Sequence, residues 1–138
     1  MTRGLEQLDV LLGEWIVASK KYSEGRGLTS VTRIDDGKFL RWESSEENDL
    51  FPHSTLMIGS DDARDECTVL YFDARGVHRV YHMSVVGDEF RMWRDAPEFN
   101  QRFIGNISGD RKTIAGQWEM SKDGKQWDVD FDLTYTKP

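Results

Sequence analysis

Trp127-Asp128-Val129-Asp130-Phe131-Asp132-Leu133-Thr134-Tyr135 alternates apolar and polar residues without a break. Successive side chains of a β-strand point to opposite faces, so this spacing predicts a strand with one buried face and one wet face. Every acid falls on the wet side. A helical reading would scatter the three aspartates around a cylinder and bury at least one of them.

The same period recurs upstream. Ile114, Gly116, Trp118 and Met120 oppose Thr113, Ala115, Gln117 and Glu119, and Ser121-Lys122-Asp123-Gly124-Lys125 supplies the hairpin loop to the last strand. Leu40 and Trp42 oppose Arg41 and Glu43, while Phe90, Met92 and Arg94 oppose Glu89, Arg91 and Trp93. Turn signals lie at Asp35-Asp36-Gly37-Lys38, Asp73-Ala74-Arg75-Gly76, Gly87-Asp88 and Ser108-Gly109-Asp110. The spacing predicts ten strands, near 14–20, 28–34, 38–46, 54–59, 67–73, 77–86, 89–95, 101–107, 112–120 and 126–136. A short helix precedes them, with Leu5, Leu8, Leu11 and Leu12 on one face and Gly13 as its stop.

Short links make successive strands antiparallel neighbours. Two links are longer, Glu46–His53 and Ser60–Glu66, and both are polar and acidic, which places them in water. A meander of this length either closes or leaves two exposed edges, and closure removes them. The expected fold is therefore all-β: one domain over residues 1–138, an antiparallel up-and-down closed barrel of about ten strands with a short N-terminal helix. Barrel diameter grows with strand number, and eight strands already make room for one small ligand. Ten strands leave an interior cavity unless large side chains fill it.

Composition restricts the partners. The net charge is −7, and no Lys/Arg run forms a basic face, which argues against nucleic acid and against anionic membrane surfaces. Cys67 is the single cysteine, so no intrachain disulfide forms and a reducing, cytoplasmic setting is expected. The opening residues carry Glu6 and Asp9 where a secretory signal needs an apolar run.

Leu12-Gly13-Glu14-Trp15 resembles the Gly-x-Trp that opens the first strand in the calycin superfamily of lipocalins, fatty-acid-binding proteins and nitrobindin. LLGEW, YFDARGVHRVY, MWRDAPEFNQRF and GQWEMSKDGKQWDVDFDLTYTK are together similar to a bacterial family of small calycin-like domains of unknown function. The resemblance implies a lipocalin-like barrel and assigns no activity. Nitrobindin-like proteins follow the Trp with further glycines and ligate haem through a His near the C-terminus. Ile16-Val17-Ala18 replaces those glycines here, and no His follows His82, so no haem or other cofactor is expected.

Candidate chemistry is sparse. His78 and His82 share a strand about 13 Å apart at about 3.3 Å per residue, too far to share an ion that takes ligands at about 2 Å. His53 follows Pro52 in a loop. No metal site is expected, and no catalytic set: the chain has neither a phosphate loop nor a nucleophile elbow. Cys67 reads as an inert, partly buried thiol. Asp61-Asp62 and Glu46-Glu47 read as solvated pairs.

Arg94 shares a face with Phe90 and Met92 and so points inward. A buried, unpaired charge is costly, which leaves it at the rim, paired with an acid, or meeting an anionic ligand. Arg102 depends on parity: either Phe103 and Ile107 face in, or Arg102 and Ile104 do. In the second case Arg102 with Tyr135 or Tyr71 would resemble the Arg/Tyr carboxylate clasp of fatty-acid-binding proteins. Trp15 reads as a floor plug, Trp118 and Trp127 as core, Trp42 as cavity lining, and an exposed Trp93 would point to a homodimer patch.

The leading expectation is a small-molecule-binding barrel. An apolar or amphipathic ligand, with or without a carboxylate, would lie among Trp42, Met57, Tyr71, His82, Met92, Trp118, Phe131 and Tyr135, with Arg94 or Arg102 at the polar end. Two alternatives stand beside it. One is an isomerase- or cyclase-type enzyme using His82 or Tyr71 as acid/base. The other is an interaction domain whose barrel is solid.

Overall fold

The computed structural model describes residues 3–22, 26–46 and 52–138. Ten antiparallel strands follow a short 3₁₀ helix, Leu5–Leu11. They are β1 (Gly13–Ala18), β2 (Gly27–Ile34), β3 (Phe39–Glu46), β4 (Ser54–Ser60), β5 (Cys67–Asp73), β6 (His78–Val86), β7 (Glu89–Arg94), β8 (Asn100–Ile107), β9 (Thr113–Ser121) and β10 (Asp128–Thr136). Each strand pairs with the next in sequence, and β10 returns to β1 with Val17 opposite Tyr135, so the sheet is a closed up-and-down barrel. The expected all-β fold, its strand count and the leading helix are all present. A closed ten-strand antiparallel meander with a leading helix fits a calycin-like fold. No helix among the described residues is long and apolar enough to cross a membrane.

The helix is 3₁₀ rather than α, and its burial follows from that. At three residues per turn, positions i and i+3 eclipse. Leu5, Leu8 and Leu11 therefore line up and are all buried, while Leu12 is only half-buried. Seven residues are too few to hold themselves helical. Tertiary bonds hold the segment instead. Gln7 accepts from the Val85 amide at 3.2 Å and donates to the Asp65 carbonyl at 2.7 Å. Arg3 donates to the Val85 carbonyl, and Asp9 pairs with Arg33.

Those partners place the helix across one end of the barrel, where the links β2–β3, β4–β5, β6–β7 and β8–β9 lie. Trp15 completes this floor: its indole donates to the Leu11 carbonyl at 2.8 Å. Lys137 donates to the Leu12 carbonyl at 2.7 Å, with its ammonium 4.8 Å from the centroid of the Trp15 ring. The floor role expected of Trp15 is what the fold gives it. The Ser60–Glu66 link runs along this end, and its Asp62–Asp65 stretch is exposed as expected. Arg64 there pairs with Asp61 and Glu66. Of the Glu46–His53 link, residues 47–51 lie outside the described residues, Glu47 among them, while Glu46 ends β3 half-buried rather than fully in water.

The last strand corrects its own simple reading. Val129 pairs with Glu119 but Phe131 pairs with Trp118, so Asp130 is an extra residue. Such a bulge shifts parity by one. Phe131, Leu133 and Tyr135 face the interior, whereas Val129 is exposed on the outer wall. Trp127 belongs to the outer side as well, beneath the guanidinium of Arg102 at 4.0 Å, and not to the core. Below the bulge, Asp132 accepts the amides of Lys20 and Lys21 and the hydroxyl of Ser19, which fastens the β1–β2 link to the β10 wall.

Candidate functional site

Inward-facing side chains line the barrel in two layers, and only the first fills it. The layer next to the floor is aromatic and close-packed. Trp42 contacts Phe90 and Tyr135 with ring centroids 5.9 and 5.8 Å apart, and Phe103 contacts Phe90, Trp118 and Tyr135 at 5.6, 5.6 and 6.1 Å. These separations are those of favourable edge and tilted pairs. The Phe103 ring lies over Gly105 and Gly116, where β8 and β9 approach closely. A Cβ at Gly116 would stand 2.3 Å from the Ile104 carbonyl oxygen and 2.8 Å from the Phe103 ring. Side-chain volume removed from the wall at these glycines is what admits the ring.

Above that layer the interior is open. A cavity of about 420 Å³ is bounded by Trp42, Tyr71, Tyr81, Met92, Trp118 and Tyr135, with Phe131, Leu133 and Leu56 along its sides. Its mouth carries Arg75, Arg79, Gln101 and Glu46. Small-molecule sites have this size, with mostly apolar walls and few polar groups.

Polar groups on the wall are mostly matched to each other. Tyr71 donates to Asp73 at 2.7 Å, and Tyr81 donates to Gln101 at 2.7 Å. The Trp42 indole donates to Ser44 at 3.1 Å, and the Ser44 and Thr29 hydroxyls are 2.9 Å apart. Arg75 grips Asp73 through Nη2 at 2.7 Å and Nε at 3.2 Å, and the Asp73 side chain is fully covered. Arg75, with the Tyr71 hydroxyl and the Arg75 and Val77 amides behind it, holds the Asp73 carboxyl well below the usual carboxylate range. Burial, with the Asp73 carboxylate beside it, pushes the Tyr71 phenol up.

Two guanidiniums are not matched in this way. Arg79 faces in with Tyr81 and Met83, and Arg94 faces in with Phe90 and Met92. Each is half-buried, and neither has a carboxylate partner among the described residues. Their contacts are aromatic: Arg79 lies 5.2 Å from the Phe99 ring centroid and Arg94 lies 5.8 Å from that of Tyr81. A half-buried guanidinium lacking an acid favours an anion nearby.

Six of the ten residues expected at the site border this cavity: Trp42, Tyr71, Met92, Trp118, Phe131 and Tyr135. Arg94 shares their face at the rim. Three lie on the other side of the wall. Met57 has the parity opposite to Leu56 and Ile58 and sits outside beside Phe39, Leu70 and Val80. His82 alternates with Tyr81 and Met83, so it faces out and stacks on Trp93 with centroids 5.6 Å apart. Arg102 takes the first of its two parities: Phe103 and Ile107 are buried, and Arg102 pairs outside with Glu119 across β8–β9. The clasp of Arg102 with Tyr135 or Tyr71 is thereby lost, and His82 does not face the interior.

Arg79, Gln101 and Asp73 were absent from that expectation. Arg79 was readable in principle, since it stands two residues before Tyr81 on one strand. A larger groove, about 550 Å³, crosses the outer wall along Val86, Trp93, Ile104 and Trp127. Its cations are already engaged, Arg91 by Glu89 and Arg102 by Glu119. That difference singles out the interior as the candidate site.

Fold and site together define a closed ten-strand barrel with an interior cavity whose mouth carries Arg75, Arg79, Gln101 and Glu46. No protein-family model matches the chain, and no curated protein matches it.

Proposed function

We propose that this barrel binds a small apolar or amphipathic molecule bearing an acid group, held in the interior with the acid at the mouth. The observation that carries this reading is the pairing of a largely apolar chamber with Arg79 at its mouth and Arg94 on the same inward face beside Tyr81, two guanidiniums without acids among the described residues. A carboxylate there would gain charge-assisted bonds that no described protein group now supplies. The closed barrel fold is compatible with this reading, and the single cysteine supports a cytoplasmic setting.

Calorimetric titration with decanoate tests it. Binding is expected to the wild type, and Arg79→Gln is expected to weaken it about ten-fold or more, the loss typical of a hydrogen bond to a charged group. Binding that is absent, or indifferent to Arg79→Gln and Arg94→Gln alike, would overturn the reading. Native mass spectrometry of the purified protein would then show whether it carries a ligand of another kind.

A further inference from the structure

The floor of the cavity holds one polar group without a partner. Tyr135 is 8% exposed, borders the chamber, and its hydroxyl has no hydrogen bond among the described residues. Tyr71 and Tyr81, higher on the wall, each donate to a side chain. The Tyr135 hydroxyl opens onto the chamber rather than into packed protein, and is free to bond an oxygen that enters there. Burial pushes the Tyr135 phenol up, so it stays a neutral donor and acceptor.

The floor cation, Lys137, is taken up by the Leu12 carbonyl and the Trp15 ring and does not border the chamber. The ring neighbours of Tyr135 are Trp42 and Phe103, and the arginines that border the chamber stand at the mouth. An anion placed beside Tyr135 would be buried without a countercharge. A hydroxyl or carbonyl oxygen carries no such penalty and satisfies the phenol.

We infer that the ligand is polar at both ends: an acid group at Arg79 and Arg94, an apolar middle, and a neutral oxygen at the inserted end that hydrogen-bonds Tyr135. The chemical class is a hydroxy- or oxo-substituted medium-chain carboxylic acid. This inference rests on the interior-ligand reading above and adds to it the chemistry of the buried end.

Straight-chain acids of about six to twelve carbons, each beside its terminal-hydroxy counterpart, test it by calorimetry on wild type and Tyr135→Phe. At the best-fitting length the hydroxy acid should bind the wild type about five-fold more tightly than the plain acid. In Tyr135→Phe that preference should vanish or reverse while plain-acid binding persists, a readout that loss of folding does not imitate. Equal affinities in the wild type, or the same preference in Tyr135→Phe, overturn the inference and leave the interior-ligand reading standing. If no acid of either series binds the wild type, the interior-ligand reading fails and this inference fails with it.

Discussion

The two halves of the barrel interior share one wall and differ in almost everything else. Near the 3₁₀ helix the interior is solid: Leu8 and Leu11 are wholly excluded from solvent, and Trp15, Phe90 and Phe103 nearly so. Toward the opposite end Tyr71, Trp118 and Leu133 are only half-buried, and they border open space. Strand number is the same at both levels, so closure alone does not decide whether a barrel is full. What decides it is the residue carried by each inward position. One end pairs glycines with large rings and stacks them. The other carries arginines, glutamine and tyrosines whose polar heads keep the space from collapsing. Stability belongs to the first region and binding to the second.

Substitutions can break that division. The largest effect is expected from Phe103→Ala, which empties the centre of the packed layer and should cost about 3–5 kcal/mol in denaturant unfolding. Trp118→Ala should cost less, because its ring already faces the chamber. Equal losses would mean that the two layers are one core. Gly116→Ala comes next, at about 1–3 kcal/mol, because the added methyl meets the Ile104 carbonyl and the Phe103 ring rather than open space.

Asp73 sharpens the contrast from the open side. Its carboxyl is held below its ordinary value of 3.8, so the folded state binds that proton more weakly than the unfolded chain. Its contribution is complete above pH 3.8 and is lost as pH falls below that value toward the lower folded one. Asp73→Asn should therefore lose stability at neutral pH and show a flatter acid dependence than the wild type. Unfolding curves at pH 7 and below 3.8 measure the difference. Parallel acid slopes would remove Asp73 from the account.

The smallest effect probes the closed end. Cys67 is fully buried, and burial pushes its thiol up from 9.0 to about 11. At pH 8 that leaves thiolate about 100-fold scarcer than in the unfolded chain, so iodoacetamide should label native protein far more slowly than denatured protein. Comparable rates would mean that this end opens readily.

Much of this was legible in the sequence, and what was not has a physical cause. Strand positions and the closed meander follow from alternation and turn residues, which are local properties. Parity fails where alternation itself is absent. Leu56-Met57-Ile58 is apolar throughout, so nothing marks Met57 as the residue that faces out. Val80 to Val86 is similarly mixed, and Arg79 at its head is a long cation that period-two reasoning places inside but charge intuition places outside. The bulge at Asp130 leaves no trace in composition, because Trp127 and Val129 continue the apolar rhythm past the point where the backbone has changed faces. Arg102 was readable only as a choice between faces, and its cross-strand partner Glu119 settled it.

The five tryptophans offer the most direct measurement of the central claim. Trp42 and Trp118 border the chamber, Trp15 lies in the floor, and Trp93 and Trp127 border the outer groove. In a nitrogen-edited NMR titration with decanoate, the indole signals of Trp42 and Trp118 should move while those of Trp15, Trp93 and Trp127 stay in place. Movement confined to Trp93 and Trp127 would contradict the account, because it would put the ligand on the outside of a barrel whose interior takes none.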